Sequence, residues 1–236
     1  MRIKSIATFV ALSACTLGTL SGCSSSTSDG AAPAREKNTT PLNAPDVLLR
    51  EVAGYEATDI AKLIEENELA SPGSSDRMTA MAVDLETNPA ECAQLAPTAM
   101  SAIAKVIANP TGIAISEFDS DADGAITVSV NSGDIPADQM LPSDIGSCES
   151  FARSNKKTTY TAEKLDISVD NAEDLRAARV TMTGSEIAAM GEAGKAHKVI
   201  GGLVDGAYFQ VTTSQDVPDE TLLRFAQAQV DKITSR

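Results

Sequence analysis

The hydrophobic pattern divides the chain into a short apolar start, a polar stretch and a long segment with helical and strand-like periods. Arg2 and Lys4 precede an uncharged run from Ile6 to Leu20. That run of about fifteen residues is shorter than the ~20 that span a bilayer, so it predicts a cleaved signal peptide over residues 1–22. Residues 23–45 are rich in Ser, Gly and Pro and predict a flexible tether. The folded domain is expected over residues 46–236.

Apolar residues at helical spacing predict four helices in this domain. Asn88 and Pro89 suit the N-cap and first position of the second helix, and Pro97 is expected to kink or divide it. The last helix has an apolar stripe that Gln229 interrupts. The predicted helices are 57–69, 88–108, 136–153 and 218–233.

Apolar residues at alternate positions predict the strands. The segments 113–118 and 125–130 predict a hairpin around a polar turn. Gly201-Gly202 and Asp205-Gly206 each indicate a bulge or a turn. The fold expected is α+β: one domain with an antiparallel sheet and helices packed on it. The other predicted strands are 78–85, 158–160, 165–169, 177–183, 197–203 and 207–213.

The signal ends in Leu20-Ser21-Gly22-Cys23, which resembles a bacterial lipobox. In that motif the cysteine thiol receives a diacylglyceryl group before the signal is removed. We therefore expect Cys23 to be lipidated and to become the mature N-terminus, anchored at the extracytoplasmic face of the cell membrane. The alternative is an ordinary secretory signal followed by an incidental cysteine.

Two cysteines remain after Cys15 leaves with the signal and Cys23 takes a lipid. In an oxidising compartment, Cys92 and Cys148 are expected to form a structural disulfide. A redox-active or metal-binding pair would favour close spacing such as Cys-x-x-Cys, which these two residues lack.

The charge balance excludes one class of partner. Lys and Arg total 19 against 33 Asp and Glu, which gives a formal net charge of −14. A nucleic-acid backbone would be repelled, so no nucleic-acid binding is expected. The chain has no Trp and only one His, which leaves few aromatic platforms and no multi-histidine metal site.

Catalytic signatures are absent from the sequence of the expected mature chain. His197 lies between cations at the start of a predicted strand, and no Gly-x-Ser-x-Gly elbow accompanies it. It is interpreted as a surface or strand-edge residue. Arg153, Lys156 and Lys157 form a basic spot that either meets an anionic ligand or is a solvated helix end. Paired carboxylates for glycoside hydrolysis stay open because their separation is three-dimensional. No catalytic residue or resident cofactor is assigned.

A candidate calcium site lies in the first predicted hairpin turn. Asp119, Asp121 and Asp123 alternate and are followed by Gly124, like the first half of a calcium-binding loop. The twelfth position, where a bidentate Glu is needed, is Val130. A solvated turn is therefore the favoured interpretation, with weak calcium binding as the alternative.

Three features follow one another along the domain: residues 89–95 after a first strand, residues 144–151, and a final strand pair followed by an amphipathic helix. Together they resemble actinobacterial cell-envelope lipoproteins, and more narrowly those related to the extracellular sensor domain of mycobacterial protein kinase H. The resemblance covers about residues 46–236. It implies an α+β domain with a cleft for an unidentified small or cell-wall-derived ligand, and no catalysis. The kinase domain is expected to hold two disulfides, whereas this chain can form one.

The function expected from these observations is non-catalytic ligand binding or sensing in the cell envelope. A monomer attached to the membrane only through its lipid is expected. The alternative function is a calcium-assisted adhesion or structural envelope protein, and a hydrolase is a third hypothesis.

Overall fold

In the computed structural model, which describes residues 42–67, 69, 71, 73, 76–77, 86–153, 158–183 and 194–236, nine strands form one antiparallel sheet. Their order across the sheet is β1-β3-β4-β9-β8-β7-β6-β5-β2. The expected α+β class with an antiparallel sheet is confirmed. The strands are β1 (Glu56–Asp59), β2 (Thr87–Asn88), β3 (Ile113–Ser120), β4 (Gly124–Ser132), β5 (Ser150–Arg153), β6 (Thr158–Lys164), β7 (Glu173–Thr183), β8 (Ala196–Val204) and β9 (Ala207–Thr213).

Four α-helices and three 3₁₀ helices accompany the sheet in the described residues. The helix Ala99–Ala108 begins with a capping box, because the Thr98 and Ser101 side chains each accept a hydrogen bond from the other residue's backbone amide. The helices are α1 (Ala44–Val47), α2 (Ile60–Glu66), α3 (Ala99–Ala108) and α4 (Asp219–Thr234). The 3₁₀ helices are Ala90–Leu95, Ala137–Gln139 and Ile145–Cys148.

One face of the sheet carries the largest hydrophobic core. The α1 and α4 helices bury alternate residues of β3, β4, β8 and β9 on this face, which we call the helix face. Phe118 and Phe225 meet edge to face, with ring centroids 5.2 Å apart. The alternation of apolar and polar residues along each strand produces this core, because every second side chain of a strand points to the same face of the sheet. Its fully buried members include Phe209, Leu222, Val128, Val130 and Ile233.

The opposite face, which we call the cleft face, carries two separate apolar clusters. One lies over β6, β7 and β8 and contains the disulfide, Phe151 and Tyr160. The other joins α2 and α3 to β3 through Ile64, Val106 and Ile115. The part of the cleft face formed by β4 and β9 lies between these clusters.

The predicted disulfide between Cys92 and Cys148 is present, with a Cα–Cα distance of 5.7 Å. Both cysteines are fully buried. They lie in the 3₁₀ helices Ala90–Leu95 and Ile145–Cys148, not in two long α-helices as the apolar spacing had suggested.

The predicted helix over 136–153 is wrong. This segment contains two short 3₁₀ helices and β5. Its backbone is held by distant side chains instead of by helical bonds: the Leu141 amide donates to the Tyr208 hydroxyl at 2.9 Å, and the Leu141 carbonyl accepts from Arg176 at 2.8 Å. Pro142 also breaks the segment in its middle.

Two other predicted helices are shorter than expected. Residues 57–59 of the predicted helix 57–69 pair with β3 as part of β1, and α2 begins only after Asp59 caps it. In the predicted helix 88–108, Asn88 is no N-cap, because it pairs with Ala152 in the sheet. Pro97 divides the remainder into a 3₁₀ helix and α3, as one of the two expectations had it.

The predicted strand 165–169 is an irregular segment. It packs Val169 into the core of the helix face, with Leu165 and Ile167 beside it. Alternate residues of this segment are therefore buried as they would be in a strand, although the segment is not part of the sheet. The predicted strand 78–85 lies outside the described residues.

The described part of the chain begins inside the stretch assigned to the tether. Ala44 is fully buried, and its backbone amide donates to the Thr111 carbonyl at 3.1 Å. Residues 42–45 thus belong to the folded unit. The signal peptide over 1–22 and Cys23 lie outside the described residues.

Candidate functional site

A cleft of about 280 Å³ opens on the cleft face between α3 and the strands β3, β4 and β9. Gln94 of the disulfide-bonded 3₁₀ helix, and Pro97 and Thr98 just before α3, also line it. The cleft fills the interval between the two apolar clusters. Its volume is just below the range of roughly 300–1,000 Å³ that is usual for ligand pockets.

Hydroxyl and amide side chains form the floor of the cleft. Thr127, Ser129 and Asn131 alternate along β4 with core residues, and Gln210 and Thr212 do the same along β9. The register pairs Thr127 with Thr212 and Ser129 with Gln210. The floor is therefore a regular polar grid whose spacing is fixed by the sheet.

Apolar side chains form one wall. Ile60, Ile103, Ile113, Ile115 and Ala102 line the cleft from α2, α3 and β3. They belong to the smaller apolar cluster, so the wall is held by its own packing. A ligand in this cleft meets an apolar side and a hydrogen-bonding base at the same time.

Tyr208 closes one end of the cleft. Its hydroxyl accepts the Leu141 amide, and burial raises the pKa of this phenol far above its usual range. The ring crosses Gly201 on β8, where a Cβ would collide with the Tyr208 hydroxyl and lie 3.0 Å from the Phe209 carbonyl oxygen. Gly201, which the sequence suggested as a bulge or turn, lies inside β8, and the register shift is in β7 between Glu173 and Arg176.

Lys105 is the cation that lines the cleft. Its Nζ donates to the Gln94 side-chain oxygen at 3.1 Å. Burial lowers the pKa of Lys105, and the attraction of Asp138 opposes that shift. Among the residues that the structure describes, Lys105 forms no ion pair.

Glu117 is the carboxylate that lines the cleft. Burial raises its pKa, and repulsion from Asp119 raises it further. Thr127 is its cross-strand neighbour. Within the described chain, neither side chain has a hydrogen-bond partner. Their polar groups are therefore available to a bound molecule.

The disulfide does not line the cleft, but it positions one side of it. Cys92 shares its 3₁₀ helix with Gln94, whose backbone carbonyl accepts from Gln210 at 3.3 Å. Gln94 also donates to the Asp138 carbonyl at 2.9 Å. The cross-link thus fixes the segment that contacts both Lys105 and the floor.

Of the three aspartates of the candidate calcium site, Asp119 is in β3 and Asp121 and Asp123 are in the turn between β3 and β4, and none of them lines the cleft. In the described residues no group of three or more His, Cys, Asp or Glu side chains is arranged to hold a metal ion. Asp123 instead accepts a hydrogen bond from Tyr55, whose hydroxyl also accepts from Arg224 at 2.7 Å. The calcium hypothesis at Asp119, Asp121 and Asp123 gains no support from this geometry.

His197 is a bridging residue in the sheet and not a strand-edge side chain. Its Nε2–H donates to the Leu95 carbonyl at 2.8 Å, which ties β8 to the disulfide-bonded 3₁₀ helix. Burial lowers its pKa below the ordinary value. Arg153 is likewise buried and donates to the Ala96 carbonyl, so it does not form a solvated basic spot. Lys156 and Lys157 lie outside the described residues.

No protein-family model matches the sequence, and no curated protein matches it. Among solved structures, the chain is similar to an uncharacterised protein from Mycobacterium smegmatis, the Rv0999 ortholog, at 13% identity and a TM-score of 0.39. The alignment covers 63% of this chain and 76% of the other. We draw no conclusion about function from a similarity at this level.

No helix in the described residues is both long and apolar enough to cross a membrane.

Sequence reasoning missed the cleft residues. Thr127, Ser129 and Asn131 occupy the polar positions of an alternating strand, a pattern typical of a solvent-exposed sheet face. The sequence offered one indication of the cleft: in β9, Gln210 and Thr212 alternate with core residues in the same way. Two strands that each carry a polar face and pair with each other can form the base of a polar cleft.

Proposed function

We propose that the protein is a non-catalytic ligand-binding or sensing module of the cell envelope, held at the extracytoplasmic face of the membrane by a lipid on Cys23. The observation that carries this proposal is the cleft between α3 and the sheet, with its apolar wall and polar floor. Pockets of this composition fix a ligand's orientation with a few polar groups while burying its apolar part.

The rigidity of the floor favours a ligand-binding site over an incidental space between packed elements. The β4 and β9 strands bury their other faces in the main core, so the grid of side chains cannot spread without disturbing that core. Thr127 and Glu117 face the cleft without hydrogen-bond partners in the described residues. A pre-formed site with unused polar groups loses little conformational entropy when it binds.

The sequence supports the location and the sensing role. The lipobox ending at Cys23 and the polar stretch after it are typical of a domain displayed outside the membrane. The resemblance to the extracellular sensor domain of mycobacterial protein kinase H adds a small or cell-wall-derived ligand as the expected class.

Copurification tests the proposal. The full protein, produced in an actinobacterial host and isolated in lipid nanodiscs, is extracted with organic solvent, and the extracted molecules are identified by mass spectrometry. Thr127→Phe fills the floor of the cleft, and because Thr127 has no hydrogen-bond partner in the described chain, the change leaves no such partner unpaired. Thr127→Ser retains the hydroxyl without filling the cleft and is the matched control.

Molecules enriched on the wild type and Thr127→Ser but absent from Thr127→Phe support a binding cleft. The same set of molecules on all three proteins contradicts it. A thermal melt shows whether Thr127→Phe is folded, and Ser129→Leu, which fills the neighbouring floor position, replaces it if it is not.

A further inference from the structure

We propose that the cleft binds a small monoanionic carboxylate with an aliphatic body, its charged group at Lys105 and its body against the isoleucine wall. This inference rests on the proposed binding function and adds the chemical class of the ligand. Its basis is a partly buried lysine that faces the cleft without an ion-pair partner in the described residues.

Lys198 shows how this protein compensates a buried ammonium. Its Nζ donates to the Val217 carbonyl at 2.6 Å and to Asp219 at 2.5 Å, and lies 3.4 Å from Asp216. Two carboxylates and a carbonyl thus surround one charge. Such pairing is what a buried charge needs, because removing it from water without a partner is costly.

Lys105 has a much poorer set of partners. Its one hydrogen bond goes to a neutral amide oxygen, that of Gln94. An ammonium carries three N–H donors, so two are left without partners in the described residues. Asp138 attracts it only from beyond ion-pair distance. An anion in the cleft would complete the coordination that Lys198 finds within the protein.

The overall negative charge does not exclude an anionic ligand. The chain carries a formal net charge of −14, but charges farther away than about 8–10 Å are largely screened at physiological ionic strength. Lys105 acts at contact distance in a partly buried site, where the attraction is least screened. The attraction of an anion to Lys105 is therefore stronger than its screened repulsion by distant carboxylates.

Two features of the lining favour a carboxylate over a phosphate. Glu117 lines the same cleft, and a dianion would meet stronger repulsion from it than a monoanion. Ile103, Ile113 and Ile115 form an apolar surface that an inorganic ion leaves uncovered. A carboxylate with a short aliphatic chain satisfies both the ammonium and the wall, and the volume of about 280 Å³ restricts it to a small molecule.

The test compares hexanoate with hexanamide, which has nearly the same shape but no charge, and with inorganic phosphate. Binding to the full protein in nanodiscs is measured by ligand-observed NMR titration, with empty nanodiscs as the blank. The variants are Lys105→Met, Glu117→Gln and Lys62→Met. Lys62 is an exposed lysine of α2 whose side chain is 72% accessible, and it controls for net charge.

We expect the wild type and Lys62→Met to bind hexanoate at least tenfold more tightly than hexanamide or phosphate. Lys105→Met should reduce the preference for hexanoate over hexanamide to less than twofold, and Glu117→Gln should strengthen hexanoate binding. Equal binding of hexanoate and hexanamide by the wild type overturns the proposal. So does an unchanged preference in Lys105→Met, tighter binding of phosphate, or no binding of hexanoate at millimolar concentration.

The two proposals fail separately. If the copurified molecules depend on the cleft but are neutral or cationic, the carboxylate assignment is wrong and the binding function stands. If no molecule depends on the cleft and hexanoate does not bind, both are wrong. A melt of Lys105→Met, which removes an incompletely compensated charge, verifies that the variant is folded.

Discussion

The side-chain oxygen of Gln229 accepts a hydrogen bond from the backbone amide of Leu49 at 2.9 Å, joining two residues that are 180 positions apart. Its Nε2 donates to the Val47 carbonyl at 2.8 Å. Gln229 is fully buried, so one amide serves both backbone groups at the end of α1. The residue that interrupts the apolar stripe of α4 therefore attaches the first described helix to the last.

Replacing Gln229 should destabilise the fold strongly. Gln229→Leu keeps the approximate volume but leaves a buried N–H and a buried carbonyl without partners, each at a cost of about 1–3 kcal/mol. We expect a loss of about 2–6 kcal/mol in the free energy of unfolding, measured by urea denaturation. Gln227→Leu, on a more accessible side of α4, is the control and should cost less than about 1 kcal/mol. Equal losses would show that Gln229 has no special role.

Removing the disulfide should destabilise the protein and loosen one side of the cleft. Cys92 and Cys148 are 56 positions apart. The chain-entropy model gives about 4 kcal/mol for a loop of this size. The double variant Cys92→Ala/Cys148→Ala should lose stability of that order in thermal or urea unfolding. Alkylation of the native protein that detects both thiols as free would contradict the cross-link itself.

His197 should make stability depend on pH near neutrality. Its pKa is lowered below the ordinary 6.5 by burial, so the folded protein binds this proton less tightly than the unfolded chain. As pH falls below about 7, the unfolded chain takes up the proton first, and the free energy of unfolding decreases by at most about 1.4 kcal/mol per pH unit until the folded pKa is reached.

The chain has one histidine, so the effect can be isolated. The wild type should lose stability between pH 7 and pH 5 relative to His197→Gln, which retains a neutral donor for the Leu95 carbonyl. Chemical denaturation at each pH measures the difference. Parallel curves for the two proteins would rule out titration of His197 as the cause.

Gly201→Ala should be destabilising through Tyr208. The added methyl would overlap the Tyr208 hydroxyl, and overpacking of this kind costs about 1–3 kcal/mol. Part of that cost should disappear when Gly201→Ala is made in a Tyr208→Phe background, because the colliding oxygen is gone. A double-mutant cycle from thermal unfolding measures the coupling. Strictly additive losses would place the effect of Gly201→Ala elsewhere.

Lipidation at Cys23 is testable by fractionation. The wild type should be recovered with membranes, and intact mass spectrometry should show a diacylglyceryl group on an N-terminal Cys23 with residues 1–22 removed. Cys23→Ser should carry no lipid and retain its signal. An unmodified Cys23 in the native material would exclude the lipid anchor.

The sequence predicted the fold where local pattern and tertiary structure agree. The hairpins around Asp121 and around Asp205-Gly206 were found because turn residues separate alternating strands. The last helix was found because α4 has a continuous buried stripe. These elements form the helix face, where burial follows the period of each element.

The misses come from residues whose backbone is held by distant partners. Leu141 has the spacing of a helix, but Tyr208 and Arg176 bind its backbone from the sheet. Asp59 ends a strand that exists only because β3 pairs with it. Local spacing contains no information about such partners. The cleft was missed for the same reason, because its floor looks solvent-exposed until α3 is placed above it.

The alternation along β4 and β9 has an evolutionary consequence. Neighbouring positions of one strand serve unrelated purposes: Val128 maintains the fold, whereas Thr127 and Ser129 face whatever occupies the cleft. Selection can therefore change the recognised molecule at one set of positions while leaving folding to the other. Related proteins with the same scaffold would be free to diverge in specificity without a corresponding loss of stability.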